Sequence, residues 1–395
     1  MRPRHGPSRG YSEKGSAQST RLYYSYIDDI LQYMKLIAQL KLLPTTEQAG
    51  ALLSTVERAN AACTAISAYA WEQRTFGKFD LQKALYHATK GEYGLSAQMV
   101  VRCLAKVGDS YKLDRETQRT YRPHGSIAYD DRILSFNMVK QTVSIWTLEG
   151  RQTIPFVCGL RQLNMLLTRH GESDLVYRKG QWFLLVTCNA DEPTPEDVDA
   201  ALGVDFGIVN LATDSDGESY SGAKVEQLRI KHQQRRDNLQ AVGTRSAKRR
   251  LKKNAGKQRR FQANTNHCIA KHLVQKAKGT QRSLALEDLT GIKQRAEKTV
   301  RQAQRSRHGN WGFYQLRSFI EYKARLAGVL VELVDPRNTS RRCNECGSID
   351  TCNRKDQSHF CCVECGHTTN ADQNAARNIR DRAAVNQPMV ADLRV

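Results

Sequence analysis

The spacing of apolar residues changes several times along the chain and predicts where strands and helices lie. Over 34–43 apolar and polar residues alternate as they do on a strand, and Pro44 ends this pattern. From about 45 to 112 the spacing is helical, beginning at a Thr cap ahead of Glu47, and three helices are expected. A period of two returns from about 125 to 190. These patterns predict a β-rich module that is interrupted by a helical unit.

The chain after residue 200 alternates between strands and helices, which is typical of an α/β domain. The segment "ALGVDFGIVNLATDSDGESYSG" is expected to form a buried strand, a tight turn around "DSDG" and a second strand. A long basic helical stretch follows. Then come the predicted strand "RSLALEDLTGI", the helix "WGFYQLRSFIEYKARLAG" and the strand "VLVELVDP".

Composition changes this picture by indicating a polyanionic partner. The 395 residues carry a formal net charge of +21, which is more than solubility requires. Between 224 and 282 there are 18 Lys or Arg residues and two acidic ones, Glu226 and Asp237. No apolar run of about 18 residues occurs, so no membrane span is predicted. The apolar residues of 1–33 follow neither a helical nor a strand period, and this segment is interpreted as a flexible leader.

The 11 cysteines are interpreted as thiols and metal ligands in a reducing compartment, since their number is odd and no export signal precedes them. Four of them form two pairs of the Cys-x2-Cys type, separated by 15 residues: Cys343, Cys346, Cys362 and Cys365. This is the spacing of a four-thiolate zinc ribbon, so one structural Zn²⁺ is predicted. The alternative is that these are unpaired core cysteines.

Three acidic residues adjoin hydrophobic segments. Asp205 lies in "LGVDFGIVNLAT", Glu287 ends the apolar run "SLALE", and Asp372 is expected at the start of a helix. Taken singly, each is explained as a surface carboxylate at a strand end or as a helix cap. Together, in a basic protein, they indicate a shared site for a hard cation, because Mg²⁺ prefers oxygen ligands and supports phosphodiester hydrolysis.

These residues carry a resemblance to a known family. "GVDFGIVNLAT", "LALEDLTGI" and "CGHTTNADQNAARNI", in that order, resemble the three segments of a RuvC-type nuclease domain of the RNase H-like superfamily. "VDPRNTSRRCNECG", joined to the second Cys-x2-Cys pair, resembles the signature of TnpB, the RNA-guided nuclease of bacterial insertion sequences and a relative of type V CRISPR effectors.

The resemblance implies a multi-domain α+β fold. Its expected parts are a leader (1–33), a β-barrel-like, wedge-like module (34–44 and 113–195), a helical recognition unit inserted in it (45–112), a RuvC-like α/β nuclease domain (200–340 and 367–381), a zinc-ribbon insertion (341–366) and a tail (382–395). The ribbon would thus interrupt the nuclease domain just before its last acid. This explains why a cysteine pair is followed at once by Asp372.

The activity implied is cleavage of target DNA, directed by a transposon-derived guide RNA and located next to a short flanking motif. Asp205, Glu287 and Asp372 would be the catalytic acids, holding two Mg²⁺ ions about 4 Å apart. The protein would be a monomer in the bacterial cytoplasm, associated with the nucleoid when bound to DNA. One departure is that Asn370-Ala371 stands where many relatives have an Asp-Arg pair.

Two alternatives to this function remain open. The chain could be a compact type V CRISPR effector, or an RNA-guided DNA-binding repressor that does not cleave, although the latter requires loss of the three acids. Basic residues expected to contact nucleic-acid phosphates are Lys248, Arg249, Arg250, Lys252, Lys253, Arg305 and Arg307. For each of them, a solvated helix face or an ordinary surface loop is the alternative.

Overall fold

A computed structural model describes residues 33–289, 313–356 and 358–386, with residues 384–386 described by their backbone alone. The predicted contacts Arg305 and Arg307 lie outside the described residues, as do the leader up to residue 32 and the tail from residue 387. The chain forms two compact units, Met1–Asp191 and Glu192–Val395. No described helix combines the length and the apolar character that a membrane crossing needs.

The first unit contains a seven-stranded antiparallel sheet. Its strands are β1 (Tyr33–Leu42), β2 (Ile127–Tyr129), β3 (Leu134–Asn137), β4 (Thr142–Thr147), β5 (Gly150–Val157), β6 (Arg169–Arg178) and β7 (Gln181–Asp191). They lie in the order β2-β6-β7-β1-β5-β4-β3. The strand predicted at 34–43 is confirmed as β1, which pairs with β7 from Tyr33↔Asp191 to Leu42↔Trp182.

The two edges of this sheet are brought together by the chain itself. Edge strands β2 and β3 are consecutive, so only residues 130–133 join them. Such a link spans at most about 18 Å, whereas the outer strands of a flat seven-stranded sheet would lie about 29 Å apart. The sheet must therefore curl into a nearly closed barrel. The Tyr129 hydroxyl, which donates to the Trp146 carbonyl at 3.1 Å, links β2 to β4 across the gap.

Three helices follow β1: α1 (Thr46–Glu72), α2 (Lys78–Tyr93) and α3 (Ala97–Leu113). A capping box starts α1, in which the Thr45 side chain accepts from the Gln48 N–H and the Gln48 side chain accepts from the Thr45 N–H. The short helix α4 (Leu160–Met165) connects β5 to β6. Buried residues of α1 and α3, such as Leu52 and Leu104, share one hydrophobic core with sheet residues such as Phe156. The helical unit therefore has its core in common with the sheet.

The second unit is built on a mixed five-stranded sheet. Its strands are β8 (Ala201–Asp205), β9 (Asn210–Asp214), β10 (Ser219–Ser221), β11 (Ser283–Glu287) and β12 (Val331–Val334), in the order β10-β9-β8-β11-β12. The pairs from β10 to β8 are antiparallel, and β11 runs parallel to both β8 and β12. The tight turn predicted around "DSDG" and the strand predicted after it are confirmed by the link between β9 and β10, whereas the single strand predicted before the turn is divided into β8 and β9.

Helices cover both sides of this second sheet. The helices described in this unit are α5 (Ala223–Val242), α6 (Arg245–Asn254), α7 (Lys257–Gly279), α8 (Phe313–Ala327) and α9 (Ala371–Asn386). Helices α7 and α8 share a core with β8 and β11, and α9 supplies Ile379 and Ala383 to a separate cluster that contains Ala201 and Val334. Gly203 allows α9 to lie directly on β8, because a Cβ at this position would collide with the Ala376 carbonyl.

Candidate functional site

The three predicted acids are carried by elements that converge on one edge of the second sheet. Asp205 is the last residue of β8 and Glu287 is the last residue of β11. These strands are adjacent and parallel, with Leu286 opposite Val204, so their carboxyl ends meet at the same edge. Asp372 lies in the first turn of α9, which packs on β8, β9 and β11. The fold therefore brings together residues that are 167 positions apart in sequence.

The electrostatics of Asp205 reflect its two acidic neighbours. Burial is the main cause that raises the pKa of Asp205 well above its usual value, and the charges of Glu287 and Asp372 raise it further. The nearby guanidinium of Arg354 acts in the opposite direction. A divalent cation would relieve the repulsion among these carboxylates. Their burial and oxygen chemistry therefore fit a hard metal such as Mg²⁺.

Asp372 is oriented by three neighbours from different segments. Its Oδ2 accepts from Asn210 Nδ2 at 3.0 Å, and its Oδ1 accepts from Arg354 Nη2 at 3.4 Å. The side chain of Asn370 caps the helix by accepting from the N–H groups of Asp372 at 2.9 Å and Gln373 at 3.2 Å. Only 6% of Asp372 is exposed. The carboxylate is therefore held close to its position before any ligand arrives.

Glu287 is held from the segment that leads into the cysteine cluster. Its Oε1 accepts a short hydrogen bond from the Thr339 hydroxyl. Burial raises the pKa of Glu287, while the Thr339 hydrogen bond and the charge of Arg382 oppose that rise. Glu287 is 9% exposed and Thr339 is 3% exposed, so this contact is shielded from water.

Four cysteines form a second centre in the same unit. The Sγ atoms of Cys343, Cys346, Cys362 and Cys365 lie within 4.8 Å of one another. The Cys343–Cys365 and Cys346–Cys362 sulfur distances are 3.7 and 3.5 Å. A tetrahedron with Zn–S bonds of about 2.3 Å has sulfur–sulfur edges of about 3.8 Å, so the cluster fits Zn²⁺. Among the described residues this is the one group that meets the 4.8 Å spacing, and the three acids are more widely spread.

The backbone around the cysteines has the form of two knuckles. The Gly347 N–H donates to the Cys343 carbonyl and the Gly366 N–H donates to the Cys362 carbonyl, both at 3.0 Å. Each glycine has a positive φ, 78° and 72°, which other residues adopt only with strain. Backbone N–H groups of Cys365 and Glu364 lower the pKa of Cys362 to about 7. This favours the thiolate that a metal requires.

Sequence reasoning missed three residues that touch the acids: Arg354, Asn210 and Thr339. Arg354 lies between the two cysteine pairs and reaches Asp372 from the ribbon. A single arginine in a loop has no periodic pattern, and its partner is 18 residues away. The position before Asp372, where the family resemblance implies an arginine, is held by a fully buried Ala371 whose N–H donates to the Ser358 carbonyl. Arg354 therefore provides a cation beside the third acid from another direction.

The predicted basic contacts that the structure describes lie together on α6. Lys248, Arg249, Arg250, Lys252 and Lys253 are all exposed. None of the five has an acidic partner among the described residues, whereas other arginines of this unit, such as Arg229 and Arg282, pair with Glu226 and Asp216. Unpaired exposed cations on one short helix are suited to a polyanion.

Comparison with known proteins shows which families the chain resembles. The family model described as "Cas12f1-like, TNB domain" matches residues 313–379. The endodeoxyribonuclease Cas12f1 of Sulfoacidibacillus thermotolerans is 33% identical over 220 residues, and InsQ of Escherichia coli (strain K12) is 32% identical over 219. The TnpB-like protein MJ0751 of Methanocaldococcus jannaschii is 36% identical over 97 residues, which are 25% of this chain and 34% of that protein. The family model and these relatives support a likeness to TnpB-family proteins and to type V effectors.

The extent of these matches differs between sequence and structure. The alignments with Cas12f1 and InsQ each cover 51% of this chain, and the chain spans about half the length of these TnpB and Cas12f relatives, 50% and 53%. A Cas12f1 chain solved by cryo-EM with sgRNA and target DNA matches 93% of this chain and 87% of its own, with a TM-score of 0.57 and 13% identity. The mini-RNA-guided endonuclease CRISPR-Cas_phi3 matches 95% and 98%, with a TM-score of 0.54 and 10% identity. At these identities the likeness is one of multi-domain α+β fold.

Proposed function

We propose that this protein is an RNA-guided DNA endonuclease that uses a transposon-derived guide RNA to recognise and cut target DNA beside a short flanking motif. The observation that carries the proposal is the convergence of Asp205, Glu287 and Asp372 on one sheet edge, with Arg354 beside them. Three antiparallel strands followed by two parallel ones support an RNase H-like, RuvC-type domain. The names of the relatives support the substrate class.

In this proposal the three acids hold two Mg²⁺ ions, and each acid has a distinct support. Mg²⁺, when bound, would supply a water activated for attack and charge stabilisation for the leaving 3′ oxygen. Asp205 is fixed by its strand, Glu287 by Thr339, and Asp372 by the helix N-terminus and Asn210. Because the carboxylates are already positioned, little reorganisation accompanies metal and substrate binding.

Arg354 is proposed to bind the scissile phosphate. Its guanidinium contacts Asp372 at 3.4 Å, so its positive charge lies beside the acids where a phosphate held by the metal ions would bind. This role would compensate for the absence of arginine at Ala371. The cleaved strand would enter the site as single-stranded DNA, after the guide RNA has opened the duplex.

Helix α6 is proposed to grip the phosphates of the guide–target heteroduplex. Arg235 and Arg236 of α5, together with Lys252 of α6, also line a cavity of about 420 Å³ between these helices. A heteroduplex is recognised through its phosphate backbone rather than its bases. The exposed cations of α6, which have no acidic partner among the described residues, are suited to such contacts. The four cysteines are proposed to hold one structural Zn²⁺, and the protein to act as a monomer in the bacterial cytoplasm.

A second candidate is a compact type V CRISPR effector, because the matching family model is described as Cas12f1-like. The two candidates use the same chemistry and differ in the origin of the guide. A guide transcribed from the DNA beside the gene indicates a transposon origin, and one processed from a repeat array indicates a CRISPR origin. A repressor that does not cleave is disfavoured by the presence of all three acids.

The test is to purify the protein with its co-expressed flanking transcript and to sequence the bound RNA. DNA matching the 3′ end of that RNA is then offered with Mg²⁺, next to a randomised flanking library, with Asp205→Ala in parallel. We expect guide-matched cleavage that Asp205→Ala abolishes. Specific RNA and target binding without cleavage, over a range of metals and temperatures, would overturn the nuclease and favour the repressor.

A further inference from the structure

The segment from Asp335 to Asn344 joins the nuclease acids to the cysteine cluster, and one face of α9 holds it in place. Asn374, Asn378 and Arg382 are spaced four residues apart, so they lie in a row along the helix. All three donate to backbone carbonyls of this segment. The row begins one half-turn beyond Asp372, which is on the same helix.

The hydrogen bonds donated by the two asparagines of this row are buried or partly buried, and those donated by Arg382 are exposed. Asn374 Nδ2 donates to the Arg342 carbonyl at 2.8 Å, and Asn378 Nδ2 donates to the Thr339 and Arg342 carbonyls at 2.9 and 2.7 Å. Arg382 donates to the carbonyls of Asp335 and Arg337. Both asparagines are fully buried. Buried amides of this kind are costly to leave unpaired, so the segment is fixed in register on α9.

Thr339 is the point at which this fixed segment touches an acid. Its hydroxyl has one proton and two acceptors within reach, Glu287 Oε1 and the Pro336 carbonyl at 3.1 Å. The contact to the carboxylate is the shorter one, and hydrogen bonds to an ionised acceptor are the stronger kind. The Thr339 hydroxyl therefore donates its hydrogen bond to Glu287. The neighbouring hydroxyl of Ser340 makes no hydrogen bond within the described part of the chain.

We infer that Thr339 is a positioning residue, which turns the Glu287 carboxylate toward the Mg²⁺ site and sets its orientation from the α9 row that also holds the first cysteine knuckle. The inference rests on the proposed nuclease function. It makes the 335–344 segment part of the metal centre, with Thr339 acting through Glu287 and touching neither metal nor DNA. Partners of this kind, which orient a metal-binding carboxylate, change metal affinity by about 10- to 100-fold when removed.

The test compares Thr339→Val, Thr339→Ser and Ser340→Ala in the full-length protein with its zinc retained. Mn²⁺ serves as the probe, and its binding is measured by the paramagnetic signal of the free ion, with Asp205→Ala as the reference for a damaged site. We expect Thr339→Val to weaken Mn²⁺ binding at least tenfold, in line with the effect of removing an orienting partner. Thr339→Ser, which keeps the hydroxyl, and Ser340→Ala should bind Mn²⁺ as the wild type does.

A second readout separates positioning from general damage. With guide-loaded protein, Thr339→Val should need more Mg²⁺ for half-maximal cleavage and approach the wild-type rate at saturating Mg²⁺, with unchanged zinc content. If Asp205→Ala weakens Mn²⁺ binding but Thr339→Val binds Mn²⁺ as the wild type does, the inference is overturned and the proposed function stays intact. A loss of rate at every Mg²⁺ concentration, which Thr339→Ser fails to rescue, would also overturn it. If Asp205→Ala binds Mn²⁺ as tightly as the wild type does, the proposed metal centre itself is overturned.

Discussion

At the scale of single residues, the candidate nuclease centre is a place where the fold holds like charges close together. Asp205, Glu287 and Asp372 lie close together, the last two are buried, and the guanidinium of Arg354 contacts Asp372. An apolar or amide residue at these positions would pack with less cost. We therefore propose that these three acids serve to bind a cation rather than to stabilise the fold.

Replacement of Asp205 by asparagine should stabilise the protein in the absence of Mg²⁺. Because the folded-state pKa of Asp205 lies above the usual 3.8, its ionisation favours the unfolded chain. This destabilisation is absent below pH 3.8, grows as the pH rises through the folded-state pKa, and stays constant above it. We expect Asp205→Asn to melt at a higher temperature than the wild type at neutral pH, by about 2–4 °C for each kcal/mol of unfolding free energy gained. Toward pH 4 this increase should disappear.

Asp216 is the matched control for this measurement, since its shift has the opposite sign. A hydrogen bond from Arg282 is the main cause that lowers the pKa of Asp216 to about 2. Its ionised form therefore stabilises the fold above pH 3.8, and Asp216→Asn should lower the melting temperature at neutral pH. Equal or lower melting of Asp205→Asn would contradict the assigned burial and repulsion.

Arg354→Ala should reduce cleavage much more than target binding. If its guanidinium stabilises the charge that develops on the scissile phosphate, the single-turnover rate should fall about 10²- to 10³-fold, as when other preorganised donors are removed. Arg354→Lys keeps the charge without the planar fork and should recover part of the rate. Cleavage is measured under single turnover and target binding by gel shift. A wild-type rate for Arg354→Ala would exclude the phosphate role.

At the scale of elements, local signals predicted the strands, the caps and the cysteine knuckles, and they failed where contacts depend on distant pairing. The alternation that marks β1 is visible within ten residues, but its partner β7 begins at Gln181. The curl of the sheet and the core that it shares with α1 and α3 follow only from such pairings between strands that are distant in sequence. The acids were found because each ends or begins an element. Arg354 and Thr339 lie in irregular segments and could not be found in that way.

Helix α6 is the element whose role is most directly measurable. Replacing both Lys252 and Lys253 by glutamine should weaken binding to a synthetic RNA–DNA heteroduplex. The slope of log affinity against log salt should become shallower by about 0.9 for each phosphate that the protein no longer neutralises, because fewer counterions are released. Arg325→Gln is the control, since Arg325 is also exposed but already paired with Glu192 at 2.8 Å. An unchanged slope in the double variant would show that Lys252 and Lys253 face solvent and do not contact the phosphates.

At the scale of the second unit as a whole, the segments that carry the cysteine cluster are in direct contact with the acids. The segment before Cys343 is tied to α9 and contacts Glu287 through Thr339. The segment between the cysteine pairs carries Arg354 to Asp372, and the β13 (His359–Cys361) and β14 (Thr368–Asn370) hairpin leads directly into α9. Order in the segment that carries the four cysteines should therefore affect both the three acids and the position of Arg354.

Cys362→Ser tests this dependence. Loss of one thiolate should release the zinc, because the remaining three ligands no longer close the site, and structural zinc supplies about 10–16 kcal/mol of apparent binding energy in small zinc domains. We expect lower zinc content, a lower melting temperature and loss of guide-directed cleavage, while RNA binding through α6 persists. Metal content, thermal melting and cleavage are measured on the same preparation.

Cys361→Ser is the matched control, because Cys361 is the adjacent, half-buried cysteine and lies outside the four-sulfur cluster. It should keep its zinc, its melting temperature and its cleavage rate. Normal zinc and melting in Cys362→Ser would refute the ribbon. Zinc loss with full cleavage would show instead that the cluster holds only its own hairpin, and that Glu287 and Arg354 keep their positions through α9 and the second sheet alone.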